Sequence, residues 1–391
     1  MIPYGRQIID EEDISSVCDV LRSDYLTTGP KVGEFEQEVA RYVGVEHAVA
    51  VSNGTAALHC VMSAFGIGPG DEVIVPAMTF ASTANCVLFQ GGTPVFVDVE
   101  PDTLLIAPEQ VEKKITQKTK AIIGVDYAGQ PCDWDALREI ADKKNLKLVA
   151  DSCHALGSEY KGKMTGTIAD ATVFSFHPVK HITSGEGGMV VTRDADMAKR
   201  MRVFRTHGIT SDVTQRQKTG TWFYEMQFLG YNYRISDILC ALGISQIKKL
   251  PAWIQKRQEV ALKYDAAFHE IHGLTPLSVR SDVQNGSRTG NNGHVYHLYV
   301  IQFDVTIGLD RNKIYKTMRS LGIGVNVHYI PVHLHPYYKK RFGTKNGMCP
   351  VAENAYERIL SLPMWPGLSD ENQDYIIRSL ITSIKREISD G

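Results

Sequence analysis

The sequence predicts an α/β protein: a mostly parallel sheet with helices on both faces, followed by a smaller α/β unit. Three observations predict it. Short apolar runs alternate with helical segments through the first half of the 391-residue chain. Those runs are almost continuously apolar, as strands covered on both faces should be. A long helical stretch then precedes a second strand–helix–strand pattern. The reading divides the chain into a large domain at 1–250, with an N-terminal segment, and a small domain at 251–391.

Each element follows in order. HAVAV (47–51) is a strand running into the helix SNGTAALHCVMSAF. DEVIVP (71–76) leads to the helical FASTANCVLFQ, and PVFVDV (94–99) to the helical PEQVEKKI. AIIGVDY (121–127) precedes DWDALREIADKKN, whose apolar positions recur at helical spacing. LKLVAD (146–151), TVFSFH (172–177) and GMVVT (188–192) complete the strands of the first half. Residues 235–250 begin a long helical stretch that Pro251 bends or restarts. The polar, glycine-rich 279–293 reads as an exposed loop. Residues 294–303 and 325–330 read as strands around a helix at 311–322, and 371–388 is a terminal helix.

Composition removes several function classes. A net charge of −2 and a 22% charged share give no basic excess for nucleic acid and no polybasic run for anionic lipid. No stretch of roughly 18 apolar residues occurs, so no transmembrane helix is expected. The opening MIPYGRQIIDEED lacks the pattern of an export signal. The seven cysteines are scattered, without a CxxC pair or zinc spacing. Reduced thiols in a cytoplasmic protein, and no metal site, are expected. Cys153 reads as a packing residue. Neither GxGxxG nor GxxxxGK[ST] is present, which argues against a nicotinamide oxidoreductase and a P-loop enzyme.

Three stretches could carry chemistry. In VSNGTAAL (51–58) a buried strand passes into a helix through Ser52, Asn53, Gly54 and Thr55. Free N–H groups and the helix dipole favour a phosphate there, although the same residues also make a plain N-cap. In LKLVADSCHALG, Asp151 closes a strand at the end where open α/β sheets bind ligands; a cap for a following helix is the other reading. His154 is a core histidine or a stacking partner for a flat ligand. In DATVFSFHPVKHITSGEGGMVVT (170–192), Lys180 sits between two strands. An ordinary lysine, with a pKa of about 10.4, is a poor nucleophile; a desolvated one beside other cations attacks aldehydes. Ser175 closes the strand before it. A phosphate nest, an acid and a lysine together are what pyridoxal phosphate requires. Phe80, after another strand end, stacks on such a ring or packs in the core.

The stretches SNGTAAL, PAMTFASTANCV, VDVEPDT, VADSCHALGSEYKGK, FSFHPVKHITSGEGG and LGYNYRISDILCALGISQ resemble the DegT/DnrJ/EryC1/StrS family of sugar aminotransferases. The resemblance runs over essentially the whole chain. It implies a fold-type I pyridoxal-phosphate enzyme with a mostly parallel seven-stranded sheet, acting as a homodimer with shared active sites. Matched by position, Lys180 is the Schiff-base lysine and Asp151 the acid at the pyridine nitrogen. Gly54, Thr55, Ala56 and Ser175 hold the phosphate, and Asn232 reaches the phosphate in the second subunit. Phe80 takes the stacking position, and His154 stands where many relatives have glutamine. Tyr4, Leu26, Thr27, Asn53, His328 and Tyr329 match the sugar-nucleotide pocket, which Ser175 and Asn232 also border. Arg234 is a candidate for the donor's carboxylates.

FSFHPVKHITSGEGG, WFYEMQFLGYNYRISD and GIGVNVHYIPVHLHPYY are further similar to one branch of the family. That branch forms UDP-4-amino-4,6-dideoxy-N-acetyl-β-L-altrosamine in pseudaminic acid biosynthesis. The implied reaction passes the amino group of L-glutamate, leaving 2-oxoglutarate, to the 4-keto group of a UDP-linked sugar. A dTDP- or GDP-linked keto sugar is the alternative acceptor. Some relatives carry histidine in place of the lysine and are dehydratases; here Lys180 is intact and His181 only follows it.

Overall fold

A computed structural model describes residues 1–210, 216, 219–285 and 292–390. Its centre is a seven-stranded sheet. The strands are β1 (His47–Val51), β2 (Glu72–Pro76), β3 (Thr93–Val97), β4 (Thr119–Val125), β5 (Lys147–Asp151), β8 (Ala171–Ser175) and β9 (Gly188–Thr192). A short hairpin, β6 (Glu159–Tyr160) and β7 (Lys163–Met164), interrupts the sequence order. Across the sheet the order is β1-β9-β8-β5-β4-β2-β3. Strand β9 runs antiparallel to both of its neighbours, and the other adjacent pairs are parallel.

The near-continuous apolar strands are buried as their sequence requires: the last four residues of β1, β2 and β5 and all of β9 are buried. Helices α1 (Glu11–Leu21), α2 (Pro30–Val43), α3 (Gly54–Ala64), α4 (Ser82–Phe89), α5 (Pro108–Lys114), α6 (Trp134–Lys144) and α7 (Ala195–Phe204) supply the rest of this half. Helix α3 is the most deeply set. Nine of its eleven residues are buried, and Ala56, Ala57, Leu58, Cys60, Val61 and Met62 share one core with β2, β4 and β5.

The predicted long helix is two helices. α8 (Asp237–Ile247) is capped by Ser236, and α9 (Leu250–Phe268) restarts with Pro251 in its first turn, where the missing N–H costs nothing. Beyond it lies a three-stranded antiparallel sheet, β10 (Leu274–Pro276), β11 (Tyr299–Phe303) and β12 (Ile359–Leu362), in the order β10-β11-β12. A second core of Tyr264, Phe268, Ile301, Phe303, Ile376 and Leu380 lies against it.

Three details differ from the sequence reading. Residues 325–330 alternate like a strand, yet only Asn326 pairs, in an isolated bridge to Ser361; the chain then turns toward the large sheet. The third strand of the small sheet is instead Ile359–Leu362, which follows the helix Pro350–Arg358 with no turn residue to announce it. Within the predicted loop, Ser281–Gln284 form a helical turn with Val283 buried, and 286–291 lie outside the described residues. Residues from both sides of position 250 enter both cores. Ile2 pairs with Ile323 and Tyr4 O accepts the Met364 N–H, while Val332, Tyr338 and Cys349 pack into the core of the large sheet. Among the described residues, no helix is long and apolar enough to cross a membrane.

Candidate active site

A cavity of about 740 Å³ opens where β2, β4, β5 and β8 end. Tyr4, Asn53, Gly54, Thr55, Ala56, Phe80, Asp151, His154, Ser175, Lys180, His328 and Tyr329 all line it. Four residues expected nearby do not. Leu26 is half exposed, and Thr27 makes a bridge to Ser236. Asn232 is exposed beside Thr206, with which it forms another bridge. Arg234 is also outside the lining.

The floor at one end is the start of α3. Strand β1 ends at Val51, and the Ser52 N–H is fixed to Tyr233 O at 2.8 Å. Asn53 is the N-cap, with extended backbone and Oδ1 accepting the Ala56 N–H at 2.8 Å. The cap reading holds, with Asn53 occupying the Ala56 N–H, while the amides of Gly54 and Thr55 begin the helix at the cavity wall. The helix dipole makes that end partly positive. Close packing favours a glycine at 54, since a Cβ there would lie 3.1 Å from Ser175 Cβ and 3.2 Å from Cys153 Sγ, tighter than ordinary contact.

Asp151 is the last residue of β5, in register with Val125 and Val173, and is 5% exposed. Its Oδ2 accepts Thr83 Oγ1–H at 2.7 Å, and Oδ1 accepts the Cys153 N–H at 3.3 Å. Thr83 is in turn bonded to Thr79 at 2.8 Å. No helix follows Asp151, because residues 152–158 form turns; the helix-cap reading is thereby excluded. A buried carboxylate needs such donors, and here they leave room for a further partner on the cavity side.

Lys180 hangs from the β8–β9 loop, its N–H closing a turn onto His177 O at 2.9 Å. Burial pushes its ammonium below the ordinary lysine range, and this outweighs the opposite pull of the Asp151 carboxylate. Burial, then the neighbouring Asp151, raise the Cys153 thiol well above its usual value, so it stays protonated. That agrees with a packing role.

The opposite wall is aromatic. His154 Nε2 and the Tyr329 hydroxyl are 3.0 Å apart, and the His154 ring lies 4.2 Å from that of His297. Burial, followed by the charge of Lys180, drives His154 far below the usual histidine range and keeps it neutral. Tyr127 donates through its hydroxyl to His328 O, and the Tyr4 ring is 5.5 Å from that of His328. Phe80 is 58% exposed at the mouth, 6.0 Å from Tyr329, so it is not a core residue.

Thr83, Tyr233, His297 and Asn326 belong to this site and were not read from the sequence. Thr83 had a signal, because it lies in the first turn of a helix that follows a strand end. The others come from distant segments with no local signature. The residues fit pyridoxal phosphate: a part-buried amine for its aldehyde, a carboxylate with spare acceptor capacity for its ring nitrogen, and the open end of a helix for its phosphate.

Comparison with known proteins agrees with this chemistry. A model of the DegT/DnrJ/EryC1/StrS aminotransferase family matches residues 7–381. The chain is 41% identical over 387 residues to the spore coat polysaccharide biosynthesis protein SpsC of Bacillus subtilis, covering 98% of this chain and 97% of that one. It is 37% identical over 385 residues to the UDP-4-amino-4-deoxy-L-arabinose–oxoglutarate aminotransferase of Shewanella sediminis, covering 97% of each. Among solved structures it is similar to Helicobacter pylori PseC, an aminotransferase involved in pseudaminic acid biosynthesis. That likeness has a TM-score of 0.90 at 34% identity, over 98% of this chain and 99% of that one.

Proposed function

We propose that this chain, which belongs to the DegT/DnrJ/EryC1/StrS aminotransferase family, moves the amino group of L-glutamate to C4 of a UDP-linked 4-keto-6-deoxy-N-acetylhexose. The product would be UDP-4-amino-4,6-dideoxy-N-acetyl-β-L-altrosamine, on the route to pseudaminic acid. The chain is a nucleotide-sugar aminotransferase and its cofactor is pyridoxal phosphate. One observation carries the reading: Lys180, Asp151 and the start of α3 face one cavity. The name of the Shewanella sediminis relative supports a UDP sugar and the glutamate–oxoglutarate couple, and the likeness to PseC supports the sugar.

The cofactor, when bound, supplies an electron sink for the carbon that loses or gains a proton. Lys180 would hold its aldehyde, and Asp151 would keep its ring nitrogen protonated, with Thr83 fixing the carboxylate. Gly54, Thr55 and Ser175 would hold the phosphate, with Ala56 completing the turn through its N–H to Asn53, joined by Asn232 of a second copy in a homodimer. The exposure of Asn232 supports that arrangement. Phe80 and His154 would flank the ring. The Lys180 amine, when free, would take the proton from Cα of glutamate and later deliver one to C4 of the sugar. Its depressed pKa favours the neutral form that this task needs. Tyr4, Asn53, His328 and Tyr329 would contact the sugar nucleotide, with Leu26 and Thr27 contributing from outside the cavity lining.

The test is visible absorbance before and after excess glutamate, followed by challenge of the bleached protein with UDP-, dTDP- and GDP-linked keto sugars. A yellow species that bleaches and is restored by the UDP sugar is expected. Restoration by a dTDP or GDP sugar alone would move the assignment to that acceptor. Absence of a yellow species after adding pyridoxal phosphate would sink the reading.

A further inference from the structure

His59, on α3 one turn beyond Thr55, is 1% exposed and enclosed by the rings of Phe89, Phe204 and Tyr231 at 5.2, 5.1 and 4.9 Å. Each of its ring nitrogens has one partner. Gln90 Nε2 lies 2.7 Å from His59 Nε2, and the Tyr233 hydroxyl lies 3.0 Å from His59 Nδ1. Burial lowers His59 to about 4, so the ring is neutral at ordinary pH and carries one N–H.

With the Gln90 amide nitrogen facing His59, the direction of each proton along this chain follows. An amide nitrogen has only donors, so Gln90 donates to His59 Nε2. The single ring N–H is therefore on Nδ1, and it donates to Tyr233 Oη. The Tyr233 hydroxyl has then accepted a bond and must direct its own proton elsewhere. Tyr233 lines the cavity together with Asn53, Gly54 and Thr55, and its carbonyl holds the Ser52 N–H just before the helix. Its pKa is raised, chiefly by burial, so the proton stays on the oxygen.

We propose that the Tyr233 hydroxyl donates a hydrogen bond to a phosphate group bound beside the start of α3, and that Gln90 and His59 aim its proton there. His59 is a positioning residue, and Tyr233 is the group that touches ligand. The inference rests on the functional reading above only for the source of the phosphate, which is either the cofactor or the diphosphate of the nucleotide sugar.

Paired ligands separate the sources. Affinities of the apoprotein for pyridoxal phosphate and for pyridoxal, and of the loaded protein for UDP and for uridine, are measured in wild type and in Tyr233→Phe. A hydrogen bond to a charged oxygen predicts a loss of about tenfold in affinity for the phosphate-bearing ligand of one pair, with its phosphate-free partner unchanged. His59→Phe, close in volume, loses the proton's direction and lowers the same ratio by a smaller factor. A purely structural role would weaken both members of a pair alike, and that result overturns the proposal, as does no change in either ratio. A wild-type protein that takes up no pyridoxal phosphate would instead sink the functional reading, and the UDP-to-uridine ratio, measured then on the unloaded protein, would still decide the role of Tyr233.

Discussion

Thr83 Oγ1 donates a 2.7 Å hydrogen bond to Oδ2 of Asp151, a residue 68 positions further along the chain. The bond joins the start of α4 to the end of β5 and sets the orientation of the carboxylate that faces the cavity. Thr83→Val keeps the shape and deletes the donor. A buried carboxylate that loses a donor costs about 1–3 kcal/mol. Urea unfolding should show that loss, and the glutamate half-reaction should slow by roughly tenfold. Unchanged values for both would mean that Asp151 is oriented by other contacts.

Lys180→Met should abolish amine transfer and, in the apoprotein, raise stability at neutral pH. The sign follows from proton linkage. Burial lowers the folded-state pKa of Lys180 below its ordinary 10.5. Between the lowered value and 10.5 the unfolded chain binds more protons, so the native lysine destabilises the fold at lower pH and ceases to do so above 10.5. The gain from methionine should therefore shrink as the pH rises through that window. A gain that does not depend on pH would assign it to packing alone.

Acid should destabilise the protein below about pH 6.5. Burial lowers His59 to about 4 and His294 and His328 to about 3. His294 Nδ1 accepts the Tyr296 N–H at 2.9 Å, a bond that protonation breaks. Each such group makes stability fall by about 1.4 kcal/mol per pH unit once the unfolded histidine is protonated and the folded one is not. Asp126, raised by burial to about 7, acts in the opposite direction, but the histidines lowered by burial, His154, His181 and His297 among them, outnumber it. His294→Gln should make the slope between pH 4 and 6 shallower by about 1.4 kcal/mol per unit. An unaltered slope would show that His294 does not stay neutral.

Gly54→Val should impair cofactor uptake more than folding. The Cβ alone would stand 3.1 Å from Ser175 and 3.2 Å from Cys153, and the two methyl groups beyond it would push the first turn of α3 away from β8. Overpacking costs roughly 1–3 kcal/mol. We expect pyridoxal phosphate affinity to drop at least tenfold while the thermal transition stays cooperative. Wild-type affinity would mean that the turn relaxes without consequence.

By itself the sequence determined the order of strands and helices around the large sheet, because its buried strands are nearly continuous apolar runs and helices such as α3 and α6 carry their own caps. It also marked Lys180, Asp151 and the Ser52–Thr55 turn, since these residues interrupt apolar segments at strand ends where a charge or a free amide is conspicuous. The tertiary structure decided what distance along the chain conceals. The direction of β9 is one example: antiparallel pairing to β1 and β8 leaves no trace in GMVVT. The strand Ile359–Leu362 is another, being recognisable only once β11 lies beside it. Thr83 and Tyr233 are ordinary residues in sequence and acquire their chemistry from partners 68 and 174 positions away. Local patterns record which face of an element is apolar. Hydrogen-bond partners brought together from opposite ends of a sheet depend on the packed fold, and there a threonine and a tyrosine become parts of a site.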